Sequence, residues 1–255
     1  MTIRIIIIMR KIVLILCALT ISAQSVADHH APTNGAVSII YECTLNEGVS
    51  PADVVTFGKS TVNKFATNND LKMSSYLWEA IAINPPYDEA DVRWVNYFPT
   101  WIDYYASNEV FGTKGQKVVE EFYGMVTCDK PVILGVRNVG GPIPTIQEKP
   151  LITSVCQLND GKTMQDAMEF LPKMTKLMNK TTGANVASSI FVPAFGISGF
   201  DYVGMFTGAT SDMAKLMDSV RSGVMPKAMA KAGMQPAATC ANDLHQSHLM
   251  IQQMQ

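Results

Sequence analysis

Two stretches of this chain repeat one another at a shift of 113 residues. Tyr41-Glu42-Cys43-Thr44-Leu45-Asn46-Glu47-Gly48-Val49-Ser50-Pro51-Ala52-Asp53 sets its Cys, Leu, Asn, Gly and Asp against those of Ser154-Val155-Cys156-Gln157-Leu158-Asn159-Asp160-Gly161-Lys162-Thr163-Met164-Gln165-Asp166. Glu47 meets Asp160, and Ser50 meets Thr163. A second pair of cysteines keeps step, since Cys128 follows Cys43 by 85 residues and Cys240 follows Cys156 by 84. Between them, Ser74-Ser75-Tyr76-Leu77-Trp78 parallels Ser188-Ser189-Ile190-Phe191-Val192. Self-similarity on this scale dictates one structural unit built twice.

Each copy has a readable order. An apolar strand ends at the cysteine (36–45; 151–158), and Asn46-Glu47-Gly48 or Asn159-Asp160-Gly161 turns the chain. Ser50 and Thr163 then cap a helix, with Pro51 at its first position in copy one and Asp53 or Asp166 three residues past the cap. Strands are expected at 75–83 and 92–98, and at 189–195 and 202–207. A second helical region then leads to a last strand near Cys128 or Cys240. The order β-α-β-β-α-β is the split-βαβ, or ferredoxin-like, plan. In that plan the first and last strands are antiparallel neighbours, so the end of one lies beside the start of the other. Cys43–Cys128 and Cys156–Cys240 are therefore the predicted disulfides. The expected organisation is a leader at 1–27, a first unit at 28–139, a Gly/Pro linker at 140–150, a second unit at 151–247 and a polar tail at 248–255.

The start of the chain reads as an export signal. Arg4, Arg10 and Lys11 precede an apolar run at 12–21, and Ser25-Val26-Ala27 offers small residues for cleavage; Met9 is an alternative start. The apolar run is too short to span a membrane. Cleavage after 27 removes three basic residues and no acid, taking the formal charge from −2 to −5. With no basic cluster left, binding to a nucleic-acid backbone is disfavoured. Cys17 leaves with the leader, and the four remaining cysteines suit an oxidising compartment, periplasmic or extracellular.

A four-stranded sheet with helices on one face leaves the other face bare, and Tyr76, Trp78, Trp94, Tyr97 and Phe98 fall on the middle strands of copy one. Leaving such surface in water is unfavourable by roughly 25 cal/mol per Å², so the sheet of copy two is its expected cover. On this element order and duplication, over residues 36–250, the chain resembles the dimeric α/β-barrel superfamily. The resemblance implies an α+β fold of two ferredoxin-like repeats packed sheet to sheet as a pseudo-dimeric α/β barrel. That superfamily includes small monooxygenases, isomerases and haem-handling enzymes, so the fold alone carries no activity.

No hydrolase elbow, P-loop or dinucleotide fingerprint occurs, and Gly196-Ile197-Ser198-Gly199 reads as a hairpin turn. The four histidines, His29, His30, His245 and His248, all fall outside the predicted strands and helices. His245 and His248 are weak metal candidates in a polar tail, and the lack of a core histidine counts against a His-ligated haem. Asp53 and Asp166 are explained as helix caps. Copy two is rich in methionine (Met164, Met168, Met174, Met178, Met205, Met213), a soft-ligand set that could hold copper but fits core packing better. The candidate ligand-binding set is Trp78, Glu79, Arg93, Trp94, Asn96 and Tyr97, divided between the two faces of the strands by alternation. The leading expectation is an exported protein, with no cofactor, that binds a small apolar or aromatic ligand between its sheets. A cofactor-independent monooxygenase or isomerase working through Glu79, Arg93 or Tyr97 is the alternative, and a copper-handling protein the third.

Overall fold

A computed structural model of the chain describes residues 36–83, 90–196 and 198–253. The expected leader, His29 and His30 lie outside the described residues. The strands are β1 (Ala36–Leu45), β2 (Ser74–Ala82), β3 (Val92–Phe98), β4 (Val126–Cys128), β5 (Val132–Gly140), β6 (Glu148–Leu158), β7 (Ala187–Phe195), β8 (Tyr202–Thr207) and β9 (Ala238–Gln252). In the N-terminal half α1 (Pro51–Phe57) runs through a π-turn at Gly58–Val62 into α2 (Asn63–Asn68). Further on, α3 (Trp101–Lys114) is followed by α4 (Gln116–Met125). The C-terminal half carries α5 (Met164–Thr182), α6 (Thr210–Arg221) and α7 (Val224–Lys231).

All the strand pairs are antiparallel, and eight strands close on themselves. Within the N-terminal half the order is β5-β1-β3-β2; within the C-terminal half it is β9-β6-β8-β7. The halves join edge to edge through β2–β9 and β5–β7, which makes an antiparallel barrel rather than two stacked sheets. Closure leaves no sheet edge unpaired around the ring, and short β4 only extends the end of β1.

The same local devices hold both halves. Ser50 and Thr163 each close a reciprocal capping box with Asp53 or Asp166. Gly48 and Gly161 take φ of 79° and 75° in the turns before those helices. Asp91 accepts the backbone N–H of Leu45, and Asp201 accepts that of Leu158. The side-chain N–H of Asn46 donates to the carbonyls of Tyr123 and Gly124, and that of Asn159 donates to the carbonyl of Pro236. Cys43 is bonded to Cys128 and Cys156 to Cys240, the pairs expected from strand order, with Cα atoms 4.0 and 4.1 Å apart.

Three packed clusters result. One lies between the N-terminal half-sheet and its helices, around Val54, Phe57, Leu77 and Trp94; a second lies in the equivalent place of the C-terminal half, around Leu171, Ile190, Met213 and Met225. The third fills the barrel interior with Ile40, Trp78, Val95, Leu134, Val136, Leu151, Phe191 and Met205. Where a polar tail is expected from residue 248, the chain instead stays in β9 to Gln252 and buries Leu249, Met250 and Ile251. No helix among the described residues is long and apolar enough to cross a membrane.

Candidate functional site

Strand alternation sorts the six expected site residues into two places. Trp78, Arg93 and Tyr97 point into the barrel, whereas Glu79, Trp94 and Asn96 point outward. They therefore do not form one site.

Inside the barrel, Arg93 is the hub of a buried polar cluster. Its Nε donates to Glu42 Oε1 at 2.8 Å, its Nη1 to His245 Nε2 at 3.0 Å, and its Nη2 lies 3.9 Å from Asp243 Oδ2. A guanidinium can only donate, so His245 Nε2 is the acceptor and the ring proton sits on Nδ1. Thr153 Oγ1 also lies 3.1 Å from Nε2. Burial, reinforced by the Arg93 charge, pushes His245 down to about 3 and keeps it neutral. This corrects the expectation that no histidine lies in the core: His245 is fully buried. His245 and His248 are three residues apart on one strand, so they face opposite sides and cannot share a metal. His248 lies outside the barrel with Nε2 3.1 Å from Glu79 and Nδ1 3.5 Å from Glu148. No group of three His, Cys, Asp or Glu side chains among the described residues is placed to hold a metal ion. Of the methionines, Met73, Met178, Met205, Met213, Met225 and Met250 are buried in the cores. At the other end of the barrel Lys149 donates from Nζ to the Pro144 carbonyl at 2.6 Å and lies 5.2 Å from the centre of the Tyr76 ring; burial pushes its amine down to about 8.

Outward, Trp94 and Asn96 meet a cavity of about 530 Å³ between β1/β3 and the helices α1, α3 and α4. Its walls are Trp94, Phe57, Phe98, Phe111 and Phe122, with Ile39, Met73 and Val118; Tyr41, Asn96, Ser107, Asn108, Gln116 and Glu120 bring polar groups to it. The helix layer here sits loosely: α3 buries only Ser107, and α4 buries no residue fully. Burial pushes the Tyr41 hydroxyl up to about 12, so it stays protonated and able to donate. Trp94 Nε1 donates to Asn96 Oδ1 at 2.9 Å, and Ser75 Oγ donates to the same oxygen. The C-terminal half has a smaller cavity, of about 210 Å³, in the matching place, walled by Phe170, Leu171, Met174, Tyr202, Phe206 and Met229.

With closure, strand order and cavity established, the fold can be placed among known structures. The chain superposes on a candidate monooxygenase from Fusobacterium nucleatum with a TM-score of 0.52 at 7% identity, covering 85% of this chain and 93% of that one. A candidate monooxygenase from Lactobacillus acidophilus gives a TM-score of 0.51 at 10% identity, over 86% and 97%. The chain shares the fold of these two proteins. A chlorite dismutase variant from Candidatus Nitrospira defluvii lies further off, with a TM-score of 0.49 at 9% identity over 83% and 91%. No protein-family model matches the sequence, and no curated protein matches it. A bound haem would need an axial ligand. No histidine or cysteine lines the larger cavity, Tyr41 keeps its proton, and His245 is on the far side of the sheet with Nε2 already engaged. The barrel protein's larger cavity is therefore not built as a His- or Cys-ligated haem site.

Of the residues that meet this cavity, Trp94 and Asn96 belong to the set expected from the sequence, and Tyr41, Ser107 and the α3–α4 residues do not. Those residues lie on helices whose apolar positions read as ordinary core spacing. The only sequence signal for the cavity is that Tyr41, Trp94 and Asn96 have no counterpart of their kind in the second half.

Proposed function

We propose that the protein is an exported binding protein, made of two tandem ferredoxin-like units, that takes a small apolar or aromatic ligand. The ligand's place is between sheet and helices of the N-terminal half, not between the two half-sheets, where Trp78, Phe191 and their neighbours fill the barrel. The observation that carries this reading is the cavity of about 530 Å³ walled by aromatic rings, within the range of small-molecule sites. Two disulfides in the described chain and the leader-like start support export.

Binding of the neutral dye N-phenyl-1-naphthylamine, read by its fluorescence, tests the placement. Ser107→Phe fills the cavity from α3 and is expected to abolish the signal. Ile102→Ser, on the exposed aromatic face of the same helix with Trp101 and Tyr105, is expected to leave it intact. The opposite pattern would move binding to the outer surface and end this reading. Two structural neighbours are candidate monooxygenases, which keeps catalysis as a second reading. The groups expected for it, Glu79, Arg93 and Tyr97, do not line the cavity, so an enzyme here works through Tyr41, Asn96 or Glu120.

A further inference from the structure

The amide of Asn96 has a fixed orientation with a chemical consequence. An indole N–H is only a donor, so the Asn96 atom facing Trp94 Nε1 at 2.9 Å is the oxygen. Ser75 Oγ donates to that same oxygen, which engages both of its lone pairs. The amide nitrogen, at the other end of the group, donates to no described residue. It is also not among the polar atoms sealed away from solvent, and Asn96 lines the cavity. Two N–H donors are thus presented, in a set direction, to an aromatic-walled space. Tyr41 lies on the same face of β1, one register step away: it pairs with Trp94, and Ile39 pairs with Asn96. Its side chain also lines the cavity, and its hydroxyl is a further donor there, on the sheet side with Asn96. The lining includes no Lys, Arg or His, and its one charged residue is Glu120. An anionic acceptor therefore has no counter-charge.

Building on the binding reading above, we infer that the cavity selects a neutral aromatic carbonyl compound, its oxygen accepting from the Asn96 amide and the Tyr41 hydroxyl and its rings against Trp94 and Phe122. Asn96 is the specificity-determining residue, and Trp94 and Ser75 are the positioning residues that hold its donors toward the ligand.

Displacement of the neutral dye N-phenyl-1-naphthylamine from the intact, disulfide-bonded protein by indane and by 1-indanone is the test. The two share a ring frame and differ in one carbonyl. The ketone is expected to bind about 2- to 12-fold more tightly, the range a net hydrogen bond supplies. Asn96→Asp keeps both inward acceptances but turns an acceptor oxygen toward the ligand, so the ketone's preference is expected to vanish or invert. Equal binding of the two compounds, unchanged in Asn96→Asp, overturns this inference and leaves the cavity standing as a site. Failure of both to displace the dye overturns the cavity reading itself. Should Asn96→Asp not fold, the carbonyl stretch of 1-indanone bound to the unaltered protein decides. A shift to lower wavenumber than in cyclohexane supports the donors, and an unshifted band refutes them.

Discussion

The two halves share strand order, disulfide position, capping boxes and strand brackets, yet among the described residues the space between sheet and helices is about 530 Å³ in the N-terminal half and about 210 Å³ in the matching place of the C-terminal half. Pairing register identifies what changed. Trp94 lies opposite Tyr41, and Gly204 opposite Ser154, which matches Tyr41 in the repeat; Asn96 and Phe206 correspond two residues further on. In the C-terminal half α5 is one continuous helix that buries Ala167, Leu171, Thr175 and Met178, and α6 buries Met213, Leu216 and Ser219. In the N-terminal half the corresponding first helix is interrupted by a π-turn at Gly58, where an added Cβ would collide with Met250 Sδ, and α3 buries only Ser107. One half keeps the fold closed while the other relaxes its helix layer over the same sheet. Two halves of like strand order permit this division of labour.

The largest expected effect probes how alike the halves are as scaffolds. Each disulfide closes a loop of nearly the same length, with separations of 85 and 84. In the chain-entropy model each contributes on the order of 4–5 kcal/mol. Cys43→Ser with Cys128→Ser, and Cys156→Ser with Cys240→Ser, are expected to lower unfolding free energy equally in urea titrations. A difference beyond about 2 kcal/mol would mean that native packing, not loop closure, sets the cost, and would break the equivalence.

Exchanging the divergent residues comes next. Trp94→Gly removes a buried ring that packs on Phe57 and Phe122, and is expected to cost at least about 3–5 kcal/mol. Gly204→Trp inserts a ring into a space of about 210 Å³ and is expected to cost about 1–3 kcal/mol through overpacking. If Gly204→Trp is neutral and creates a dye-binding site, the asymmetry resides in this one position. If not, it resides in the helices.

Much of this was legible in the sequence because repetition supplies its own alignment. Cys43, Asn46, Ser50 and Asp53 fixed the first strand, turn and helix of each half, and the order of elements brought the right cysteines together. The middle strands were offset by one residue. The register places Ser75 with Ser188 and Trp78 with Phe191, because Ser75 pairs with Asn96 and Ser188 with Phe206. A one-residue slip reverses which side chains of copy two face inward. Ligand space was expected between the sheets because all the middle-strand aromatics of copy one were assigned to the bare face, whereas Trp94 and Phe98 alternate to the helix face. The last strand was missed in part because Asn242-Asp243-Leu244-His245-Gln246-Ser247-His248 has the composition of a tail. Its polar residues alternate between a buried barrel cluster and an outer seam, an environment that exists only once both halves are assembled.

That shared cluster gives a prediction in which neither half suffices alone. Glu42 and Arg93 come from the N-terminal half and Asp243 and His245 from the other. At the corresponding positions stand Val155 and Val203, and Val132 and Leu134. His245 is held neutral by burial and by Arg93, with its folded pKa at about 3 against 6.5. Below pH 6.5 the unfolded chain takes up a proton that the folded chain refuses, so stability falls with pH. Between pH 6.5 and 5 the loss is expected to be about 2 kcal/mol. His245→Gln should flatten that limb of the urea-midpoint profile, and an equally steep profile in the variant would assign the pH dependence to other groups.

The smallest effect is the sharpest check on likeness. Ser50 and Thr163 each accept from the third backbone N–H of their helix while Asp53 and Asp166 reach back, and the cap hydroxyl holds each carboxyl below its ordinary range. Ser50→Ala and Thr163→Ala are each expected to cost about 1 kcal/mol. The helices behind them differ: one is interrupted after seven residues, the other runs for 19. A cap acts through the first turn, so this difference downstream should not change the cost measured by urea midpoint. If Ser50→Ala also weakens dye binding while Thr163→Ala does not, the first turn of α1 is coupled to the cavity through Phe57, and the loose helix layer of the N-terminal half extends back to its cap.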